Sequence, residues 1–109
     1  MNRSKLESYM GFAAKSRNMV TGYNTCMLMM KKRQIKLLVI ASDLSDNTKK
    51  KMLALAEAGK VRYRIYGDVE SLSQMTGKRG KGIFGITDFH FAEIIGTEID
   101  RIQSEREVF

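Results

Sequence analysis

Residues 37–42 read LLVIAS, a continuous run of β-favouring side chains near the middle of a 109-residue chain. Successive residues of a strand point to opposite faces of a sheet. A strand that is apolar at every position therefore needs cover on both faces, and the run reads as a central strand with helices on either side. GIFGIT (82–87) is the second candidate for a central position. VRYRIY (61–66) alternates, with Val61, Tyr63 and Ile65 on one face and Arg62, Arg64 and Tyr66 on a partly wet one. MVTG (19–22) is a very short strand.

Helical patterns fill the gaps. Segment 4–17 places Leu6, Met10, Ala13 and Ala14 in one stripe. Segment 24–33 has Asn24 as its expected cap and ends in a basic cluster. Segment 45–59 stops at Gly59, and 68–77 also ends at a glycine. Segment 88–107 is the longest, with Gly96 inside it at a cost of about 0.8–1.0 kcal/mol relative to alanine. Strands alternating with helices predict a single α/β domain over residues 1–109, a three-layer α/β/α sandwich around a small sheet. The chain contains no proline, so its turns rely on glycine, asparagine, aspartate and serine.

The central run leads into DLSDNTKKK (43–51). Ser45 is the expected cap of the next helix, and Asp46 suits its positive end. Asp43 has two readings, since strand ends are both helix-capping positions and the usual place for binding sites in open α/β sheets. Lys49, Lys50 and Lys51 occupy consecutive helical positions and do not share one face. At least one must lay its stem over apolar neighbours.

Charge is unevenly spread. Residues 1–81 hold 17 Lys or Arg against 6 Asp or Glu, whereas residues 82–109 hold 2 against 6. A basic body points to a polyanion partner. The candidate contacts are Lys31, Lys32, Arg33 and Lys36, together with GKRGKG (77–82), a glycine loop carrying Lys78, Arg79 and Lys81. That loop lacks the spacing of a nucleotide-binding P-loop. Tyr23, in the turn TGYN, is expected to be exposed.

The residues for enzymatic or metal chemistry are scarce. One cysteine, Cys26, allows no intrachain disulfide, and one histidine, His90, gives little material for a metal site or a histidine-based triad. Neither a cofactor nor a metal is expected. Asp43 and Asp88 remain as a carboxylate pair for a small hydrolase or transferase, if they share a pocket. The first residues lack the apolar core of a signal peptide, and no run is long enough to span a membrane. The expected location is the cytoplasm.

Residues 21–52, TGYNTCMLMMKKRQIKLLVIASDLSDNTKKKM, resemble the heart of the L7Ae, L30e and Gadd45 superfamily, most closely its short bacterial YlxQ-type branch. GFAAKSRNMVTG (11–22) is similar to that group's opening motif, and DVESLSQMTGKRGKGIFGITDFHFAEII (68–95) to its later glycine–lysine and D-x-x-F-A region. The resemblance implies an L30e-like fold with a small mixed four-stranded sheet, and RNA binding without catalysis. Archaeal and eukaryotic members of the superfamily grip kink-turns with a G-x-N-E-x-x-K segment. By position, its glycine is Gly22 and its asparagine Asn24, while Thr25 stands at the glutamate and Leu28 at the lysine. The implied contact surface continues through Asp43 and the loop from Thr76 to Lys81. Thr25 accepts hydrogen bonds at shorter reach than glutamate, and Leu28 cannot contact phosphate.

The reading from sequence is thus a small RNA-binding protein associated with rRNA or the ribosome. Its expected face combines Gly22, Tyr23, Asn24, Thr25, Leu28, Lys31, Lys32, Arg33, Lys36, Asp43, Lys78, Arg79 and Lys81. The alternative is a non-catalytic interaction module of the same fold. It would use the apolar helix 24–33 against a ribosomal protein partner or a second copy.

Overall fold

The computed structural model describes residues 4–107. Five helices alternate with four strands: α1 (Lys5–Lys15), β1 (Met19–Thr21), α2 (Tyr23–Lys31), β2 (Leu37–Ile40), α3 (Asp46–Ala58), β3 (Tyr63–Ile65), α4 (Val69–Thr76), β4 (Ile83–Ile86) and α5 (Phe89–Glu107). The strands form one mixed sheet in the order β1-β4-β2-β3. β2 and β3 run parallel, and β4 runs antiparallel to both β1 and β2.

β2 and β4 occupy the interior of the sheet, and every residue of both is buried. Along β2 the side chains divide with a period of two. Leu37 and Val39 join Phe84 and Ile86 beneath α1, α4 and α5, where Leu6, Met10, Leu72, Ile95 and Ile99 complete the cluster. Leu38 and Ile40 join Ile83 on the other face, under Cys26 and Met30 of α2 and Met52 and Ala56 of α3. These are the three predicted layers. Each large apolar side chain so buried contributes roughly 1.5–3 kcal/mol. Gly85 lets Ile35 pack close on β4, since a Cβ there would lie 2.5 Å from Ile35 Cδ1 and force that side chain to move.

Helix starts follow from local chemistry. Ser4 and Glu7 form a reciprocal capping box on α1, and Asp68 and Ser71 form one on α4. Ser45 Oγ accepts from the Thr48 N–H at 3.1 Å at the head of α3. Asp88 Oδ2 accepts from the Phe91 N–H at 2.8 Å at the head of α5. α3 stops at Gly59 as expected, with Gly59 as its C-cap. Gly59 has an ordinary φ of −89°, and the left-handed turn falls on Lys60, at φ 56°.

The register defines two ends of the sheet. At the exit end, where β2 finishes, Thr21 faces Phe84, and Ile40 faces both Ile83 and Ile65. At the entry end, where β2 begins, Met19 and Leu37 both face Ile86, and Leu38 faces Tyr63. The wet side of β3 is tied to α5. Arg64 donates to both carboxylate oxygens of Asp100, at 2.7 and 3.1 Å, and Arg62 lies 3.0 Å from Glu93.

Candidate nucleic-acid interface

Three helices, α2, α3 and α4, begin at the exit end, so the positive ends of three backbone dipoles converge there. The loops between strands and helices are held together by main-chain bonds. The Gly22 N–H donates to Ile83 O at 2.9 Å, the Ala41 N–H to Gly82 O at 2.8 Å, and the Ser42 N–H to Gly67 O at 2.8 Å. Segments 22–25, 42–45, 67–69 and 78–82 thus form one surface.

The head of α2 differs from the other four. Its N-cap is Gly22, at φ 96° and ψ 155°, and it makes no side-chain cap hydrogen bond. Asn24, expected to be the cap, lies inside the first turn and is exposed, as is Thr25. The pattern in the sequence points to a cap two residues late because asparagine is the better-known cap and glycine offers no side chain to recognise. The first N–H groups of a helix lack intrahelical acceptors, so this uncapped turn offers donors to an anion. Lys81 reaches the same spot, since a Cβ on Gly22 would lie 3.7 Å from Lys81 Nζ. Leu28 is one turn below Asn24 on the same side of α2 and is 52% exposed. Tyr23 is half-buried against the core under α2 and α3, contrary to the expected exposure.

Asp43 makes a structural contact at the rim of the surface. Its Oδ1 accepts from the Val69 N–H at 3.0 Å, so it holds the first amide of α4 while Asp68 takes the Ser71 N–H at 2.7 Å. Beside it opens a cleft of about 620 Å³ between α4 and the 77–80 loop, lined by Asp43, Glu70, Gln74 and Arg79 among others. Lys78, Arg79 and Lys81 are all exposed. Lys49 adds a cation at the exit end that sequence pattern alone does not single out. Its ammonium donates to Ser42 O at 2.8 Å and lies 3.7 Å from Asp46. Lys50 and Lys51 lie farther along α3, and Lys51 is exposed.

Lys31, Lys32, Arg33 and Lys36 are not part of this surface. They end or follow α2, whose nine residues carry the chain about 13 Å at 1.5 Å per residue, from one end of the sheet toward the other. The Lys36 N–H donates to Ile86 O at 2.7 Å, which fixes that residue at the entry end. The single basic face expected from sequence is therefore two, on opposite ends of the sheet.

Asp43 and Asp88 are likewise separated. Asp43 follows β2 and Asp88 follows β4, and these strands are antiparallel, so the carboxylates stand at opposite ends. Each binds a helix amide. Cys26 is fully buried, and burial pushes its thiol pKa up to about 12. His90 is exposed on α5. Among the described residues no cluster of three or more His, Cys, Asp or Glu is arranged to hold a metal ion, and no helix is long and apolar enough to cross a membrane.

A mixed four-stranded sheet between two helical layers, with a glycine-led helix and a basic loop meeting at one end, defines a small L30e-like domain. The chain belongs to the ribosomal protein L7Ae/L30e/S12e/Gadd45 family, whose model matches residues 4–95. It is 31% identical over 93 residues to the RNA-binding protein YlxQ of Enterococcus faecium, covering 84% of this chain and 88% of that protein. Among solved structures, a protein of unknown function from Bacillus halodurans superposes with a TM-score of 0.86 at 26% identity, over 90% of this chain and 99% of that one. The 15.5kD RNA binding protein of Giardia lamblia superposes with a TM-score of 0.73, over 95% of this chain and 92% of that one. At 13% identity this second likeness speaks for the fold alone.

Proposed function

We propose that this protein binds structured RNA through the exit end of its sheet, as a recognition module without a chemical step, and that the RNA is ribosomal. The observation that carries the reading is the uncapped head of α2, with Lys81 laid against Gly22. Free amides and an ammonium group at one point suit a phosphate. Lys78 and Arg79 extend the positive surface along the backbone path. Asn24 and Thr25 stand beside it, exposed, with side chains able to reach base edges. Asp43 serves by holding the head of α4 in place. The family and the name of the Enterococcus relative support the same function. In the cell the protein would then travel with ribosomes or their precursors in the cytoplasm.

The test is a set of titrations on kink-turn, plain duplex and single-stranded RNA at several salt concentrations. Replacing Lys78, Arg79 and Lys81 together with alanine is expected to weaken structured-RNA binding. It should also flatten the salt slope by roughly 0.9 for each duplex phosphate that is no longer neutralised. Asn24→Ala is expected to cost more on a structured internal loop than on a plain duplex. Crosslinking in cells and sequencing of the bound RNA identifies the target. Wild-type protein that binds none of these RNAs at low salt removes the proposal. The exposed Leu28 would then favour the second reading, a protein contact through α2.

A further inference from the structure

Among the described residues, three that are not glycine adopt a positive φ: Arg17 at 65°, Arg33 at 59° and Lys60 at 56°. All three are cations. Each is the residue just past the C-cap of a helix, α1, α2 and α3 respectively. The bonding pattern is the same each time. The N–H of the cation donates two residues back from the C-cap, to Ala14, Met30 and Glu57, and the next N–H donates to Ala13, Met29 and Ala56. This is the Schellman ending, in which glycine is the usual occupant because a Cβ is disfavoured in the left-handed region.

The location is as selective as the residue type. Each of these three turns leads into the start of β1, β2 or β3, and Arg33 and Lys60 share one cleft. Lys36, Arg62 and Phe89 line it as well, and its volume is about 270 Å³. Phe89 is 63% exposed although it stands at the head of α5. Arg62 is engaged by Glu93. Arg17, Lys31, Lys32, Arg33, Lys36 and Lys60 make no ion pair among the described residues. By contrast, the positive-φ positions at the exit end, Gly22, Gly67, Gly77 and Gly80, are all glycine. A cation at a helix C-terminus gains from the dipole, and one such residue would need no other explanation. Here Arg33 and Lys60 flank an exposed aromatic ring in one cleft, and Arg17 stands at the same end of the sheet, before β1.

We infer that the entry end is a second RNA-binding face, which takes a single-stranded segment: the cations at the starts of β1, β2 and β3 follow its phosphates, and Phe89 stacks on a base. Positive charge without acidic partners complements a phosphate backbone, and an exposed ring favours a base that is free of a duplex. The two ends face away from each other, so one molecule would join two stretches of RNA. The entry face is built from its own residues and would bind whether or not the exit end does.

Glycine supplies the test, because it relaxes each strained turn while deleting the charge. The variant Arg17→Gly, Arg33→Gly, Lys60→Gly should fold with an unchanged or higher Tm. A labelled single-stranded RNA 12-mer is titrated against it over a range of salt. The expected result is at least a tenfold loss of affinity and a salt slope lower by about two, at roughly 0.7 per neutralised phosphate on single strands. Phe89→Ala should lose at least fivefold with the slope unchanged. A control removing equal charge elsewhere, Lys5→Ala, Lys50→Ala, Lys51→Ala, should lose less than threefold. Wild-type affinity in the glycine variant, an equal loss in the control, or no effect of Phe89→Ala overturns the inference. The alanine variant of Lys78, Arg79 and Lys81 should still bind the 12-mer when it no longer binds structured RNA, so the two faces fail separately.

Discussion

Lys81 lies against Gly22, so close that its ammonium would stand 3.7 Å from a Cβ added to that glycine. The contact joins the loop before β4 to the head of α2, two segments 59 positions apart in the chain. Space beside Lys81 would admit a Cβ, so what constrains Gly22 is its backbone, at φ 96° and ψ 155°.

Gly22→Ala should therefore destabilise the protein by about 1–3 kcal/mol, the usual range for a side chain forced into a sparsely populated backbone region. Thermal unfolding measures this. RNA affinity should fall as well, because relief of the strain at φ 96° would shift the first turn of α2. A variant with wild-type Tm would show that the turn relaxes into another conformation without cost.

Asp43 separates structure from recognition. Asp43→Ala removes the acceptor of the Val69 N–H and should cost about 0.5–2 kcal/mol, as the loss of a helix cap does. Asp43→Asn keeps an acceptor oxygen and should retain most of the stability in urea unfolding. It also removes a negative charge from the proposed RNA-binding end, so its RNA affinity should equal or exceed that of wild type. A large loss of affinity in a stable Asp43→Asn protein would assign the carboxylate a direct role in base reading.

The positions of Thr25 and Leu28 set the selectivity expected of the exit end. Both stand on α2, Thr25 exposed and Leu28 52% exposed, where the superfamily motif carries glutamate and lysine. The double change Thr25→Glu, Leu28→Lys should sharpen preference for a kink-turn over a plain duplex by about 1–3 kcal/mol if a good bidentate base contact forms. Competition titrations with the two RNAs measure the ratio. Strong kink-turn preference in the wild-type protein would show that the side chains at 25 and 28 are not what confers it.

Cys26 predicts an alkaline limit to stability. Its folded pKa is raised from 9.0 to about 12 by burial. Below the unfolded value the thiol is protonated in both states, and its contribution is constant. Above it the unfolded thiol loses its proton first, so stability should fall as pH rises from about 9 toward 12. Cys26→Ala should show a shallower decline over that window, when compared by urea unfolding at each pH. Labelling of native wild type by a thiol reagent should be slow relative to unfolded protein, and rapid stoichiometric labelling would contradict the burial.

Much of this arrangement is written in local pattern. Leu37 to Ile40 has to be covered on both faces because no residue in it is polar, and the three layers follow from that run and the helices around it. Ser45 announces α3 for the same local reason. The order of strands is another matter. β4 inserts between β1 and β2, and no spacing in the sequence reports that pairing. It is this insertion that turns Asp88 to the entry end and keeps it from Asp43. The basic residues 31–36 escape a reading by sequence proximity for a related reason. They stand close in sequence to Asn24, but a helix separates neighbours in the chain by its own length. The left-handed cations are hidden because glycine is the expected sign of such turns. At α3 that sign is present, at Gly59, one residue before the position that bends.

The late insertion of β4 also governs when the molecule can exist during synthesis. β1 pairs only with β4, and β2 has β4 as one of its two neighbours. Until residues 83–86 leave the ribosomal tunnel, the N-terminal strand has nothing to bond to and the sheet stops at β2 and β3. α2 can pack on β2 and α3 through Cys26 and Met30 before then, but its capping glycine lacks the Ile83 O acceptor that fastens its head. A nascent chain of this protein can thus pair β2 with β3 early, but the exit end is completed only in one late step, when β4 joins β1 and β2.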